Sequence, residues 1–180
     1  PDLTGAYLQH WSVGVQRSAG PAGTVSVAYA GSKGTHLVRS RDVNQPRPAP
    51  GDVQSRRPLR TYGSMLTVES GSNSNFHSLQ ATVNRPLRGR TSLWAAYTFS
   101  KSIDDTSAFL SVKGDKNFPQ DSQNFRAERA ASSFDIRQRM ALAYICEFPR
   151  GNRWTRNADV RGIATLQTGQ PFSPVLRFDN

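Results

Sequence analysis

Arg137-Gln138-Arg139-Met140-Ala141-Leu142-Ala143-Tyr144-Ile145-Cys146-Glu147-Phe148-Pro149 alternates with a period of two. Met140, Leu142, Tyr144, Cys146 and Phe148 take every second position, and Arg139, Ala141, Ala143, Ile145 and Glu147 fill the gaps. Successive side chains of a strand point to opposite faces, so this segment reads as a strand with one apolar and one mixed face. Thr91 to Ser100 repeats the pattern, with Leu93, Ala95, Tyr97 and Phe99 against Ser92, Trp94, Ala96 and Thr98. About ten residues is what a tilted strand needs to cross a bilayer, and half of them then face water. A mean hydropathy of -0.57 with 36% hydrophobic residues is therefore compatible with a membrane wall. The same composition excludes helical spans, because no run approaches the roughly 18 consecutive apolar residues they require.

Counting directions along the chain gives three hairpins. A strand from Tyr7 to Arg17 carries Tyr7, Gln9, Trp11, Val13 and Val15 on one face and turns through Ser18 to Gly23. Its partner, from Thr24 to about Leu37, carries Val25, Val27 and Tyr29. A polar connection at about 38–73 holds Pro46, Pro48, Pro50 and Pro58, too many prolines for a central strand. Ser74 to Arg85 sets His77, Leu79, Ala81 and Val83 against Phe76, Ser78, Gln80 and Thr82, then turns tightly at Pro86 to Arg90. A second long connection, 101–136, leads into the Arg137 strand, and Arg150 to Arg153 turns into a last strand from Ala158 to Thr168. Thr61 to Glu69 also has strand-like content. Counted as a crossing it would put the next short turn on the wrong side, so it is assigned to an extended arm of the first long loop.

Short turns on one side and long loops on the other is the asymmetry of outer-membrane barrels. The expected fold is all-β: an antiparallel transmembrane β-barrel segment of about six strands, with short periplasmic turns and long extracellular loops. The residues expected to face the membrane are Trp11, Val13, Val15, Val25, Val27, Tyr29, Leu79, Val83, Leu93, Tyr97, Phe99, Met140, Leu142, Tyr144 and Phe148. Tyr7, Tyr97, Phe99 and Phe148 fall near strand ends, where interfacial aromatic girdles belong, whereas Tyr29 lies nearer mid-strand. Trp94 falls on the face assigned to the lumen. A soluble basic all-β sandwich, with the alternating faces packed on each other, is the alternative reading.

Lys and Arg total 23 against 13 Asp and Glu, a net charge of +10 that ordinarily raises nucleic acid as a partner. The arginines punctuate turns and loops rather than forming a stripe, and no recognition motif accompanies them, so nucleic-acid binding is not expected. Arg85, Arg88, Arg90, Arg150, Arg153 and Arg156 flank the short turns, placed either to meet periplasmic lipid phosphates or simply to keep the turns soluble. Gly31-Ser32-Lys33-Gly34-Thr35 breaks the order of a phosphate loop. Asp104, Asp105, Asp115 and Asp121 lack the spacing of a calcium loop and read as solvated loop acids. His10, His36 and His77 have no metal-ligand spacing, and Cys146 reads as a small hydrophobe. Arg126, Glu128, Arg129 and Asp135 are expected to pair with one another. No cofactor or metal is expected, and no nucleophile, base and orienting group assemble into an enzyme.

Five stretches, in this order, carry a family resemblance: Ala28-Tyr29-Ala30-Gly31-Ser32-Lys33-Gly34-Thr35-His36-Leu37, Tyr97-Thr98-Phe99-Ser100-Lys101-Ser102-Ile103-Asp104-Asp105, Asn117-Phe118-Pro119-Gln120-Asp121, Ser133-Phe134-Asp135-Ile136-Arg137 and Leu166-Gln167-Thr168-Gly169-Gln170-Pro171-Phe172. Together they resemble the barrel of an Oar-like TonB-dependent outer-membrane receptor. The resemblance implies residence in the outer membrane, a large barrel filled by a plug domain, and uptake of a ligand with energy passed by the TonB complex. Its implied partners are outer-membrane lipid, the plug, the remaining barrel strands and TonB. Residues 1–180 are expected to be a partial barrel domain without a plug, since about six strands cannot close even the smallest barrels, which need about eight.

Overall fold

The alternating segments become six long antiparallel strands and one very short one. These are β1 (Tyr7–Ser18), β2 (Thr24–Asp42), β3 (Leu66–Pro86), β4 (Ser92–Asp104), β5 (Ala130–Ala131), β6 (Gln138–Phe148) and β7 (Ala158–Gln167). The computed structural model describes residues 3–87, 91–108, 118–148, 154, 158–172 and 174. The long strands pair in chain order as a meander, β1-β2-β3-β4-β6-β7, and β5 adds to the end of β4. The sheet is open among the described residues, with β1 and β7 at its edges.

The register sorts the chain into two faces. Directly opposed residues share a face, so Val15, Val27, Ala81, Tyr97, Met140 and Leu166 form one row across all six long strands. Above it stand Val13, Tyr29, Leu79 and Phe99, and below it Arg17, Val25, Val83, Ala95, Leu142 and Ala164. The other face alternates with this one and reads Gly14, Ala28, Gln80, Thr98, Arg139 and Gln167 in its middle row. Trp94 keeps its register between Asn84 and Ala143 on this second face, so no slip accounts for its position.

A soluble domain buries its large apolar side chains. Among the described residues here no hydrophobic side chain is buried, and Val13, Val15 and Leu79 remain 66%, 72% and 51% exposed. Buried positions are polar instead, among them Ser40, Asp42, Asn44, Ser72, Ser102 and Asp135. The two faces therefore do not pack on each other, which removes the sandwich alternative.

The short turns follow from local chemistry. Between β1 and β2, Ala19 N donates to Gly23 O at 2.7 Å, and Gly20 and Gly23 both take positive φ. A Cβ at Gly23 would collide with the backbone of Asn84, so glycine lets this turn lie against β3. Leu87 N to Thr91 O, 2.8 Å, closes the turn between β3 and β4. Arg88, Arg90, Arg150, Arg153 and Arg156, with Asp115, lie outside the described residues. So does the side chain of Phe148, whose backbone pairs with Ala158.

The strands run further outward than the apolar pattern predicts. β2 extends to Asp42 and β3 begins at Leu66, so the first long connection is 43–65 rather than 38–73, and the second is 105–137, interrupted by β5. Leu66 to Glu69 are thus strand rather than loop arm, while the parity of crossings is unchanged. After the irregularity at Gly34 and Leu37, pairing continues from Val38 opposite Ser70 to Asp42 opposite Leu66. Leu66 and Val68 supply the strand-like content seen in the sequence, whereas the β2 side of the extension, Arg39 to Asp42, is polar and carries no apolar alternation.

Candidate functional site

The outward extension of β2 and β3 is where the two long connections meet. Glu69 lies directly opposite Arg39, and its carboxylate receives Arg39 Nε at 3.0 Å and Arg39 Nη2 at 2.8 Å. Arg41 Nε sits 2.9 Å from the other carboxylate oxygen, so one acid serves two guanidinium groups. Phe125, from the second connection, covers Arg39 with its ring centroid 3.3 Å from the guanidinium carbon, a cation–π contact. Ser122 joins the same seam: its Oγ accepts from Asp42 N at 3.2 Å and its N donates to Gln45 Oε1 at 2.6 Å.

Two buried side chains organise the first connection. Asn44 Nδ2 donates to the carbonyls of Leu59, Tyr62 and Gly63 at 3.0, 3.1 and 2.8 Å, and its Oδ1 accepts from Leu59 N at 2.8 Å. Asp42 accepts from Met65 N, Asn44 N, Ser64 Oγ and Arg57 Nη1. Burial pushes the Asp42 carboxyl up, but the donors from Met65, Ser64, Asn44 and Arg57 together outweigh it and hold its pKa below the ordinary value. The second connection is pinned to β4 by Asp135, which accepts from Ser102 N at 2.7 Å, and by Ser132 Oγ, 2.8 Å from Ser102 Oγ. The result is a polar cap around a cleft of about 480 Å³, lined by Arg39, Asn73, Asp105, Phe125, Arg126 and Arg129.

Below the cap, the first face changes character at a row of rings. Tyr29 Oη lies 2.6 Å from His77 Nδ1, with the two rings stacked at 6.1 Å, and Trp11 approaches His77 at 6.0 Å. Trp11 lies over Gly31, where a Cβ would fall 2.5 Å from the indole. Tyr144 lies over Gly162 in the same way, so each ring covers a neighbouring strand that carries no side chain at that point. Tyr29 stands in the row of Val13 and Phe99, one row inward of Trp11 and His77.

The other sequence candidates are dispersed. Gly31 to Thr35 lies within β2, paired with β1 and, through Gly34, with β3, rather than in a phosphate loop. Asp104 takes Ser107 Oγ on both oxygens at 2.9 Å, Asp105 takes Asn73 N at 3.0 Å, and Asp121 takes Gln123 N at 2.8 Å. Asp104 and Asp121 thus close local turns, whereas Asp105 ties the start of the second connection to β3. The expected mutual pairing in the second loop is corrected: Arg129 pairs with Asp105 at 3.4 Å, Asp135 with Arg137 at 3.5 Å, and Glu128 accepts from Asp121 N. Sequence separation misled here, because β4 and β5 bring residues 102–105 beside 129–135. His77 joins Tyr29 and Trp11, His36 meets Tyr7 edge-on, and His10 lies on the second face opposite Ser32. Cys146 is a free, half-buried thiol on the first face, opposite Val160. The cap residues Asn44, Arg57, Ser122 and Phe125 carry no motif, and only their three-dimensional neighbours disclose them.

An open meander without a buried apolar core, with sorted loops, is the form of a barrel wall, and residues 1–180 match the family model described as an outer membrane beta barrel domain. The chain belongs to that family. No curated protein and no solved structure matches it. As an outer-membrane barrel domain it resides in the outer membrane and contacts membrane lipid. No helix among the described residues is long and apolar enough to cross a membrane. The strands of this barrel domain do the crossing.

Proposed function

We propose that this segment is part of the wall of an Oar-like TonB-dependent outer-membrane receptor that takes up a ligand. In this reading the first face, from Trp11, Val13 and Val15 across to Met140, Leu142 and Tyr144, meets lipid, and the second face lines the lumen. The polar cap stands outside the cell. The observation that carries the reading is the cap itself: strands of 19 and 21 residues exceed the roughly ten needed to span. They lift two long connections outward and lock them by ion pairs and hydrogen bonds into one surface with a cleft. The five ordered stretches that resemble the receptor family support the finer assignment. No catalytic step belongs to the segment; its work is to enclose and present. The plug, the remaining strands and the TonB complex are the proposed partners.

The test uses the full-length protein that contains this segment, folded in detergent, and the purified periplasmic domain of TonB. Saturable binding that strengthens when outward ligand is present is expected of a receptor. A barrel that folds, shifts on heating in gels and never binds TonB would reduce the proposal to a passive wall.

A further inference from the structure

Most charged groups that line the cleft of the cap already hold partners. Arg39 is committed to Glu69, to Gly71 O at 3.3 Å and to the ring of Phe125. Arg129 reaches Asp105 at 3.4 Å, and its Nη2 donates at 2.7 Å to Asn75, whose amide is oriented to satisfy both ends. Asp105 also accepts from Asn73 N at 3.0 Å and from Asn73 Nδ2 at 3.4 Å. Arg126 differs. It lines the cleft and is exposed, and no acid among the described residues lies within ion-pair distance of it. Its place in the chain is nonetheless fixed. Phe125 before it is held over Arg39, and the surrounding turns close through Asn124 N to Asp121 O at 3.0 Å and Ala127 N to Asn124 O at 3.1 Å. Glu128 completes them by accepting from Asp121 N at 3.0 Å. Arg39 and Arg129 each face an acid, so a single guanidinium in the cleft is left without one.

We propose that this cleft takes a small ligand by a single carboxylate group, which Arg126 receives. The proposal rests on the reading that the cap presents a ligand to the outside, and it names the chemistry of that ligand. A guanidinium without an acid of its own offers a planar fork of donors, the geometry of a bidentate carboxylate pair. Asp105 decides the charge. Its carboxylate lines the same cleft, so a doubly charged phosphate monoester is repelled more strongly than a monoanion. One uncommitted cation matches one negative charge. Phe125 and Asn73 decide the rest of the ligand: a ring and an amide on the same lining suit a body with both apolar and hydrogen-bonding surface. Gly71 keeps the wall thin, because a Cβ there would fall 3.1 Å from Arg39 Nη2. A volume of about 480 Å³ is that of a small-molecule site. A sugar acid and the C-terminus of a short peptide both present a carboxylate beside hydrogen-bonding groups, and the two sources are separated by experiment.

Full-length protein in detergent is titrated with glucuronate, glucose and glucose 6-phosphate, and with trileucine and its C-terminal amide, and binding is read by saturation-transfer NMR. At least one carboxylate is expected to bind about tenfold more tightly than its uncharged counterpart. The pair that shows this preference identifies the source, sugar acid or peptide. Glucose 6-phosphate is expected to bind more weakly than glucuronate. R126Q is expected to lose the carboxylate preference while keeping the heat-induced gel shift of the folded barrel. R47Q, which removes an exposed arginine of the first connection outside the cleft, is expected to retain it. No preference in either pair, tighter binding of glucose 6-phosphate than of glucuronate, or an undiminished preference in folded R126Q overturns the proposal. An equal loss in R47Q would assign the effect to general surface charge and also overturn it. The TonB domain separates the two readings. A protein that binds the domain but prefers no carboxylate defeats only this site, whereas one that prefers a carboxylate and never binds the domain upholds the site and defeats the receptor reading beneath it.

Discussion

Replacing Asn44 with alanine should open the cap without unfolding the wall. The side chain is 1% exposed and satisfies three carbonyls and one N–H of the 43–65 connection. Its two amide hydrogens are shared among the three carbonyls, so about three independent bonds are lost, each worth about 1 kcal/mol net. The connection's closed state should then lose about 3 kcal/mol, a rise of about 150-fold in its opening equilibrium. No strand pairing in the apolar rows involves Asn44, so the wall is untouched. Amide exchange of Leu59, Tyr62 and Met65 in the folded full-length protein should accelerate by roughly that factor, and tryptic cleavage after Arg56 or Arg60 should appear. The heat-induced gel shift should stay the same. Exchange within about fivefold of the parent would refute the idea that this one side chain closes the connection, and exchange accelerating equally in β2 and β3 would refute the independence of cap and wall.

Val27→Arg, in the middle apolar row, should cost about 2–4 kcal/mol in urea unfolding from lipid, whereas Gln80→Arg on the second face should cost under about 1 kcal/mol. Equal costs would invalidate the assignment of faces. Gly31→Ala would push a Cβ into the Trp11 indole, so Trp11 emission should shift and the unfolding midpoint should drop by the equivalent of about 1 kcal/mol; unchanged emission would show that the ring does not cover this strand. Because the Asp42 carboxyl is held below its unfolded value, its contribution is complete above about pH 4 and is lost as pH falls through the lower folded value. Exchange in 43–65, corrected for intrinsic rate, should therefore rise on acidification towards about pH 2, and D42N should flatten that profile.

The wall was legible because its rule is local. A strand that meets lipid on one side must alternate, and Met140 to Phe148 or Leu93 to Phe99 state this within ten residues. The parity of turns did the rest, and it held where Thr61 to Glu69 invited an extra crossing. The outer ends were illegible for a complementary reason. Once β2 leaves the apolar level, nothing requires alternation, and Arg39 to Asp42 have the polar content of a loop, so the strand-like Leu66 to Glu69 had no recognisable partner in the sequence. The cap was illegible because its contacts join residues far apart: Ser122 to Asp42, Phe125 to Arg39, Arg129 to Asp105. No pattern in a single stretch encodes them.

The register also fixes an angle. Along the row of Val13 the pairing leads to Tyr29, Leu79 and Phe99, and the apolar stretch centred on Val13 in β1 is centred on Tyr144 in β6. Tyr144 pairs with Leu93, which lies six residues from Phe99 along β4. The greasy belt therefore drifts about 20 Å along the strands while crossing four strand spacings, about 19 Å, which inclines the strands about 45° to the membrane normal. At that slant each strand occupies about 6–7 Å of circumference, so the six supply about 40 Å. Strands completing the ring must continue the same drift, or the belt would arrive at the seam too high or too low to meet itself. Closure is thus a helical-pitch condition on the belt as well as a hydrogen-bonding condition on the β1 and β7 edges.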